Sequence, residues 1–140
     1  MTELSAVQAT SPAPYERLGG ADGVRQLVQR FYSLMDELPE AHRVRSLHPQ
    51  DLQGSAERLY EYLSGWFGGP DLYVRKYGHP RLRMRHSPYA VGAAQRDEWM
   101  LCMSMALAEQ VLDEALRAHL IRTFGQIADH LVNTETGAAI

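Results

Sequence analysis

Residues able to do chemistry are concentrated in one short segment, Tyr77–Tyr89. Its sequence, YGHPRLRMRHSPY, holds three arginines and two histidines. Between Asp71 and Asp97 the chain has six arginines and lysines and no acidic residue, although its formal net charge is −3. Guanidinium groups bind carboxylates and phosphates in planar, bidentate geometry, and an imidazole can ligate a metal. Three interpretations compete: a solvated basic loop, a phosphate or nucleic-acid patch, and a site for a small dianionic ligand.

The third interpretation leads to a specific cofactor. Haem carries two propionates, which suit arginine, and an iron atom that accepts one histidine. A nucleic-acid patch is disfavoured because the rest of the chain is acidic and contains no recognisable nucleic-acid module. A zinc site lacks ligands, since Cys102 is the only cysteine and no His-x-x-x-His or Cys-x-x-Cys spacing occurs. His86 alone does not decide between the three interpretations, because a lone histidine is more often structural than a ligand.

The elements that must position this segment are predicted to be helices. Apolar residues recur every three or four positions over 24–38, with Asp22 as the expected N-cap. A second helix is expected after Asp51, and a third along the stripe that begins at Trp99. Asp113 is the expected N-cap of a fourth helix. No convincing alternation at period two occurs over four or more residues, so the predicted fold class is all-α.

The breaks between helices shape the surroundings of His86. A glycine pair ends the second helix, so residues 68–92 are expected to be mostly irregular, with one short helix inside. Pro80 suits the first position of that helix, and Pro88 prevents its continuation. His86 would then lie at its end, on the same face as Leu82 one turn earlier.

Composition places the chain among ordinary single-domain globular proteins. Its 140 residues can bury one core, and 45% hydrophobic and 22% charged residues are typical of that class. A lone cysteine excludes an internal disulfide and fits a reducing compartment. The N-terminus shows no signal-peptide pattern, and no apolar run approaches the ~18 residues of a membrane span. We therefore expect a soluble, cytoplasmic protein with no nucleic-acid or membrane partner.

Motifs along the whole chain agree with a haem site. In order they are YERLGG, RFY, HPQDL, RLYEYLSGWFGGP, YGHPRLRMRH, RDEWMLCM and HLVN. This series resembles the group II truncated haemoglobins from about residue 15 to 133. The resemblance implies a two-over-two helical sandwich around haem b. It also implies a truncated globin domain at 15–135, with a flexible N-terminal tail at 1–14 and a C-terminal tail at 136–140.

The resemblance further implies roles on the proximal side of the haem. His86 would be the proximal ligand of the iron. Arg85 would face a propionate, with Arg58 and Tyr73 as its partners. These roles would account for the local positive charge in a chain whose net charge is −3.

On the distal side the resemblance points to Tyr32, Trp99 and His48. A phenol hydroxyl and an indole N–H can both donate to a dioxygen ligand, whose outer atom carries partial negative charge. His48 stands where many relatives have tyrosine or phenylalanine, and its protonation would make ligand binding pH-sensitive. From the residues alone, Tyr32 and Trp99 could equally be core aromatics and His48 an exposed loop residue.

Three further residues follow on the second helix. By the same comparison, Ser55 and Leu59 occupy distal positions, and Tyr62 lines the haem edge. Ser55 replaces the large distal histidine of ordinary globins, so the direct entry route for ligand would be open.

Together these residues predict a haem protein that binds dioxygen at ferrous iron under two or three hydrogen-bond donors. Slow ligand release would favour redox chemistry, either nitric oxide dioxygenation or peroxidase-like activity, with a reductase supplying electrons. The alternative is reversible oxygen storage, transport or sensing without turnover. A monomer or a homodimer would serve either role.

Overall fold

Helices account for all the regular structure in residues 12–134, the part of the chain that the computed structural model describes. The elements in chain order are α1 (Pro14–Arg17), α2 (Gly20–Glu37), a 3-10 turn (Pro39–Ala41), α3 (His42–Ser46), α4 (Gln53–Trp66), α5 (Leu72–Tyr77), α6 (Leu82–His86), α7 (Ala93–Gln110) and α8 (Glu114–Leu131). The all-α prediction is confirmed. None of these helices has the run of apolar residues that crossing a bilayer would require.

The two predicted tails lie mostly outside the described residues. The N-terminal tail was expected at 1–14; description starts at residue 12, and Pro14 is already the first residue of α1. The backbone N–H of Tyr15 donates to the carbonyl of Phe67 across 2.9 Å, which ties α1 to the end of α4. The C-terminal tail expected at 136–140 lies entirely outside the described residues.

Four longer helices bury the core between them. Helix α2 packs against α4 and α7, and α7 packs against α8. Apolar residues recur along these helices at three- and four-residue spacing, so each presents a stripe to its neighbours. Removing one such side chain from water contributes about 1.5–3 kcal/mol. The largest fully buried side chains include Phe31, Phe67, Leu27, Met35, Leu63, Met103, Leu107 and Leu120.

The only cysteine of the chain, Cys102, belongs to this core and has no exposed surface. Burial raises the pKa of its thiol to about 11, and the nearby carboxylate of Glu98 adds to the shift. The thiol is therefore protonated at neutral pH.

One predicted helix start is confirmed and another is wrong. Asp113 caps α8, because its carboxylate accepts a 2.9 Å hydrogen bond from the backbone N–H three residues later. Asp22 does not cap α2, since that helix begins earlier, at Gly20. The residue before it, Gly19, has a φ of 104°, a conformation that glycine adopts without steric cost. Asp22 instead lies in the first turn of the helix.

The segment 68–92, expected to hold one short helix, holds two. Helix α5 was missed because its six residues, LYVRKY, bury only Tyr73 and show no amphipathic repeat. An ion pair between Asp71 and Arg75, one turn apart, supports it.

Helix α6 begins at Leu82, so the predicted start at Pro80 was wrong. The backbone N–H of Arg81 donates to Nδ1 of His79 across 3.1 Å. Arg81 itself is left-handed, with a φ of 47°, and such a residue cannot continue a right-handed helix. The predicted helix end at His86 is confirmed.

Candidate functional site

One cavity of about 560 Å³ opens between α2, α4, α6, α7, α8 and the turn that follows α3. Every residue that the sequence predicted for the site lines this cavity. They are Tyr32, His48, Ser55, Arg58, Leu59, Tyr62, Tyr73, Arg85, His86 and Trp99. Apolar side chains of α8, which the sequence analysis did not assign to the site, complete the wall: Phe124, Ile127 and Leu131.

The imidazole of His86 is oriented by its own helix. Its Nδ1 lies 2.7 Å from the carbonyl oxygen of Leu82, one turn earlier. A carbonyl can only accept, so Nδ1 carries the proton and Nε2 keeps its lone pair. Metal-ligating histidines usually have their second nitrogen fixed in this way. His86 is therefore suited to ligate a metal through Nε2.

The turn after His86 is fastened to the end of α8 by Asn133, which the sequence analysis did not single out. The Asn133 side-chain amide donates to the carbonyls of Tyr89 at 2.9 Å and His86 at 3.3 Å. Its side-chain oxygen accepts from the N–H of Val91 at 2.9 Å, and its own backbone N–H donates to the Val91 carbonyl at 2.7 Å. The only sign of its importance in the sequence was its position at the end of the closing motif HLVN.

Two arginines lie at the rim of the cavity. Arg58 and Arg85 are both exposed yet line it, and neither forms an ion pair with any described residue. The guanidinium of Arg85 lies 5.7 Å from the ring centre of Tyr73, and its Nε donates to the carbonyl of Pro80 at 2.7 Å. Two rim arginines without carboxylate partners can bind a dianionic ligand.

Two potential donors face the cavity on the opposite wall. The hydroxyl of Tyr32 is 3.5 Å from the Ser55 carbonyl oxygen, at the outer limit of a hydrogen bond. Burial raises the pKa of Tyr32, so its hydroxyl keeps the proton. The indole N–H of Trp99 donates to no acceptor within residues 12–134. Both groups can therefore donate to a ligand in the cavity.

His48 differs from these two because it accepts. Its Nδ1 lies 2.8 Å from the Val44 carbonyl oxygen, so Nδ1 carries the proton in the neutral ring. Burial lowers the pKa of His48, and the positive charges of Arg45 and Arg58 lower it further, against the opposing effect of the Val44 hydrogen bond. At neutral pH the ring is uncharged and its free nitrogen is an acceptor.

A buried carboxylate, Glu98, holds the distal elements together and was missed in the sequence. It accepts from the backbone N–H groups of Arg43 at 2.8 Å and Val44 at 3.0 Å, and from the Arg43 guanidinium at 3.0 Å. These N–H groups belong to the first turn of α3, so Glu98 caps that helix from outside. Because Glu98 precedes Trp99 and Val44 holds His48, one carboxylate connects both distal residues.

The residues present fit a haem. The cavity volume of about 560 Å³ lies within the ~300–1,000 Å³ range of small-molecule sites. Its walls combine aromatic and aliphatic side chains with an imidazole whose Nε2 is free and two unpaired rim arginines. This donor set matches an apolar macrocycle with one metal and two carboxylates.

The chain is similar in sequence to known globins. The profile of a family described as bacterial-like globin matches residues 13–133. The Group 2 truncated hemoglobin YjbI of Bacillus subtilis is 34% identical over 121 residues, which are 86% of this chain and 89% of that protein.

Solved structures agree over the same range. The group II 2-on-2 hemoglobin from Agrobacterium tumefaciens has a TM-score of 0.87 and 46% identity, covering 90% of this chain and 98% of that chain. The truncated oxygen-avid haemoglobin from Bacillus subtilis has a TM-score of 0.78 and 34% identity, covering 87% and 100%. Membership of the globins implies binding of haem and of diatomic ligands such as oxygen. The chain belongs to the bacterial-like globin family and is a group II truncated haemoglobin with the two-over-two fold.

Proposed function

We propose that this protein binds haem b with His86 as iron ligand and holds dioxygen with Tyr32 and Trp99 for redox chemistry. The observation that carries the proposal is the pair of cavity-lining donors that the described residues leave almost free. The Tyr32 hydroxyl has only the 3.5 Å contact with the Ser55 carbonyl, and the Trp99 indole has none. Both groups line the cavity with donor capacity that the described residues use little or not at all, so a ligand that accepts from both can bind there.

The other residues of the cavity bind and orient the cofactor. Haem, when bound, supplies an iron that takes a diatomic ligand and exchanges electrons with it. The Leu82 carbonyl fixes the Nδ1 proton of His86 and leaves Nε2 to ligate the metal. Arg85 and Arg58 bind the two propionates at the rim. His48 contributes an acceptor near the ligand at neutral pH.

Two donors suffice for slow ligand release. A hydrogen bond to a charged group contributes about 1.5–3 kcal/mol, and about 1.4 kcal/mol is a tenfold change in rate or affinity. Two such bonds that add even in part slow release by orders of magnitude. Slow release suits chemistry on the ligand, either nitric oxide dioxygenation or peroxide activation, in which the same donors stabilise developing negative charge on oxygen. The neutral imidazole donates less electron density than a thiolate would, which limits peroxide cleavage.

The proposal has consequences for the setting of the protein. Redox turnover requires an electron-donating reductase, and we place the protein in the cytoplasm as a monomer or homodimer whose haem domain spans 15–135. The Bacillus subtilis relative described as oxygen-avid supports slow release here. Oxygen transport fits less well, because a carrier that releases slowly delivers little.

The oxygen dissociation rate of the ferrous protein tests the proposal. We expect slow release that becomes about tenfold or more faster in Trp99→Phe and in Tyr32→Phe. The rate is measured by rapid mixing of the oxygenated protein with carbon monoxide. Trp66→Phe is the matched control, since Trp66 stacks on Phe124 and does not line the cavity.

Either of two outcomes would contradict the proposal. Fast release that Trp99→Phe and Tyr32→Phe leave unchanged would exclude a role for the two donors, and storage, transport or sensing would then be the better function. Failure to form an oxygenated spectrum would contradict the haem site itself.

A further inference from the structure

We propose that the outer surface of α6 is the docking surface for an acidic protein that carries one electron at a time. This surface, the α6 face, consists of Arg83 and Met84 of the helix and the flanking residues Arg81 and Tyr89, of which Tyr89 also reaches the cavity. The inference rests on the proposed redox function, because only chemistry that consumes electrons needs such a carrier. It adds to that function the location of docking and the chemistry of the partner.

The positive charge of the α6 face is not neutralised by the described part of the protein. Arg81 and Arg83 have no carboxylate within salt-bridge distance among residues 12–134. Arg83 donates instead to the carbonyl of His130 at 2.7 Å, so its charge is kept. The other basic residues just before the α6 face are paired, Arg75 with Asp71 and Lys76 with Glu61. The face therefore presents net positive charge to a partner.

Exposed apolar side chains lie among these charges. Met84 is 56% exposed and Tyr89 is 48% exposed. Of the six large hydrophobic residues exposed in the described range, four lie between residues 74 and 89. Leu82 and His86, one turn apart, line the cavity, so Met84 midway between them points away from it. Methionine, tyrosine and arginine are the residue types enriched at protein interfaces.

The α6 face lies directly behind the residue proposed to hold the iron. Helix α6 is five residues long, and His86 is its last residue. Its outer surface is therefore about one helix diameter, ~10 Å, from the cavity. The hydrogen bond of 2.7 Å between Nδ1 of His86 and the Leu82 carbonyl joins the imidazole to the backbone of the same helix. A carrier seated on this face would approach the haem from the proximal side.

An acidic carrier of the [2Fe–2S] ferredoxin type fits this surface. Electron-transfer complexes bury little area and are guided by opposite charges, which suits four residues with two guanidiniums that have no carboxylate partner. In the step concerned, the reduced cluster loses one electron and the ferric haem iron gains it, becoming ferrous. No bond, proton or group is transferred.

Binding and reduction with an acidic plant-type [2Fe–2S] ferredoxin as probe test the proposal. Calorimetry gives the affinity of the haem-loaded protein at low salt and at about 0.3 M salt, where exposed charges are screened. Rapid mixing of the ferric protein with reduced ferredoxin gives the second-order rate. We expect Arg81→Glu to lower both by about tenfold or more at low salt, and Met84→Ala to lower them less. Neither Arg81 nor Met84 lines the cavity.

Arg122→Glu is the matched control for charge. Arg122 is exposed on α8, does not line the cavity and forms no ion pair within residues 12–134. Its substitution changes the net charge as Arg81→Glu does, but at a site outside the α6 face. We therefore expect the affinity and the reduction rate to change by less than about twofold. Equal effects of the two substitutions, or binding that salt does not weaken, would overturn the proposal.

Two further measurements separate the possible failures. If Arg81→Glu dissociates a dimer in sedimentation, the α6 face is covered by a second copy of the chain and the carrier proposal is wrong. Reduction by dithionite and the oxygen dissociation rate report on the haem site without a carrier, and Arg81→Glu should leave both unchanged. Fast oxygen release with intact, salt-sensitive ferredoxin binding would contradict the proposed function but not the docking surface.

Discussion

The two sides of the cavity are built in different ways. The distal wall comprises Tyr32, His48 and Trp99. Tyr32 and Trp99 lie on long helices of the core, and His48 is held through Val44 by the buried carboxylate of Glu98. The proximal segment, residues 72–92, contains two short helices, in which only Tyr73 is buried. It is fastened chiefly by hydrogen bonds to the end of α8.

This difference separates two tasks. Packing in a core fixes side chains against displacement, so the distal donors have one geometry toward the ligand. Hydrogen bonds at an exposed segment are weaker in sum and can open locally. The proximal segment can therefore admit a large cofactor and a protein partner without disturbance of the distal wall. Substitutions on the two sides should accordingly have separable effects on cofactor retention and on ligand release.

The largest expected effect is on the proximal side, at His86. His86→Gly should weaken haem binding by on the order of a hundredfold or more, since even outer partners of metal ligands change affinity by about 10–100-fold. Added imidazole should restore the Soret spectrum. His79→Gly is the matched control in the same segment, since His79 only accepts from the Arg81 N–H. Retention of haem with an unchanged spectrum in His86→Gly would exclude His86 as the ligand.

The next effect is on the distal side, at Glu98. Glu98→Ala removes three hydrogen bonds and leaves the N–H groups of Arg43 and Val44 without their acceptor. We expect a loss of about 3 kcal/mol in the free energy of unfolding, measured by urea titration. Glu109→Ala on the same helix is the control, since Glu109 pairs with Arg30 in an exposed position and its loss should change the free energy of unfolding far less. Equal losses would show that the buried carboxylate has no special role.

A smaller effect, again proximal, is expected at Asn133. Asn133→Ala removes the side-chain bonds to the carbonyls of His86 and Tyr89 and to the Val91 N–H. The net loss should be about 1 kcal/mol or more, so haem transfer to apomyoglobin should become at least about fivefold faster. The oxygen dissociation rate should not change, because the distal wall is untouched. A parallel rise in both rates would contradict the separation of the two sides.

The smallest effect is the pH dependence contributed by His48. Its pKa in the folded protein lies below the usual value near 6.5. As the pH decreases below 6.5, the unfolded state therefore binds the proton before the folded state does. The free energy of unfolding decreases with it until the lower pKa of the folded state is reached. The loss is at most about 1.4 kcal/mol per pH unit. This loss of stability at low pH should disappear in His48→Gln and persist in His119→Gln, an exposed site on α8. The free energy of unfolding, measured between pH 5 and 8, checks this.

The long helices were predictable from sequence because burial determines them. Apolar spacing located α2, α4, α7 and α8, and Asp113 was recognisable as a cap because a carboxylate at that position serves the next N–H groups. The start of α6 was not predictable, since it follows from the left-handed backbone of Arg81, which is not a glycine. Such a conformation leaves no periodic pattern in the sequence.

The residues of the site were likewise only partly predictable from the sequence. Residues that a ligand would contact carry recognisable motifs, and the structure gathers all of them in one cavity. Glu98 and Asn133 were missed because their partners are mostly backbone atoms. Every residue type offers the same N–H and carbonyl, so no complementary residue elsewhere in the sequence reveals the contact. Only the folded chain identifies these two residues.

The buried cysteine has a practical meaning for a protein that handles oxygen. At a pKa of about 11, only about one thiol in ten thousand is a thiolate at pH 7, and Cys102 has no surface for an oxidant to reach. Peroxide attacks the thiolate, so Cys102 offers peroxide almost no target for sulfenic acid formation. Because Cys102 is the only cysteine and is buried, two copies of the chain have no exposed thiols with which to form a disulfide-linked dimer. We therefore expect the Cys102 thiol to remain reduced in air without added reductant.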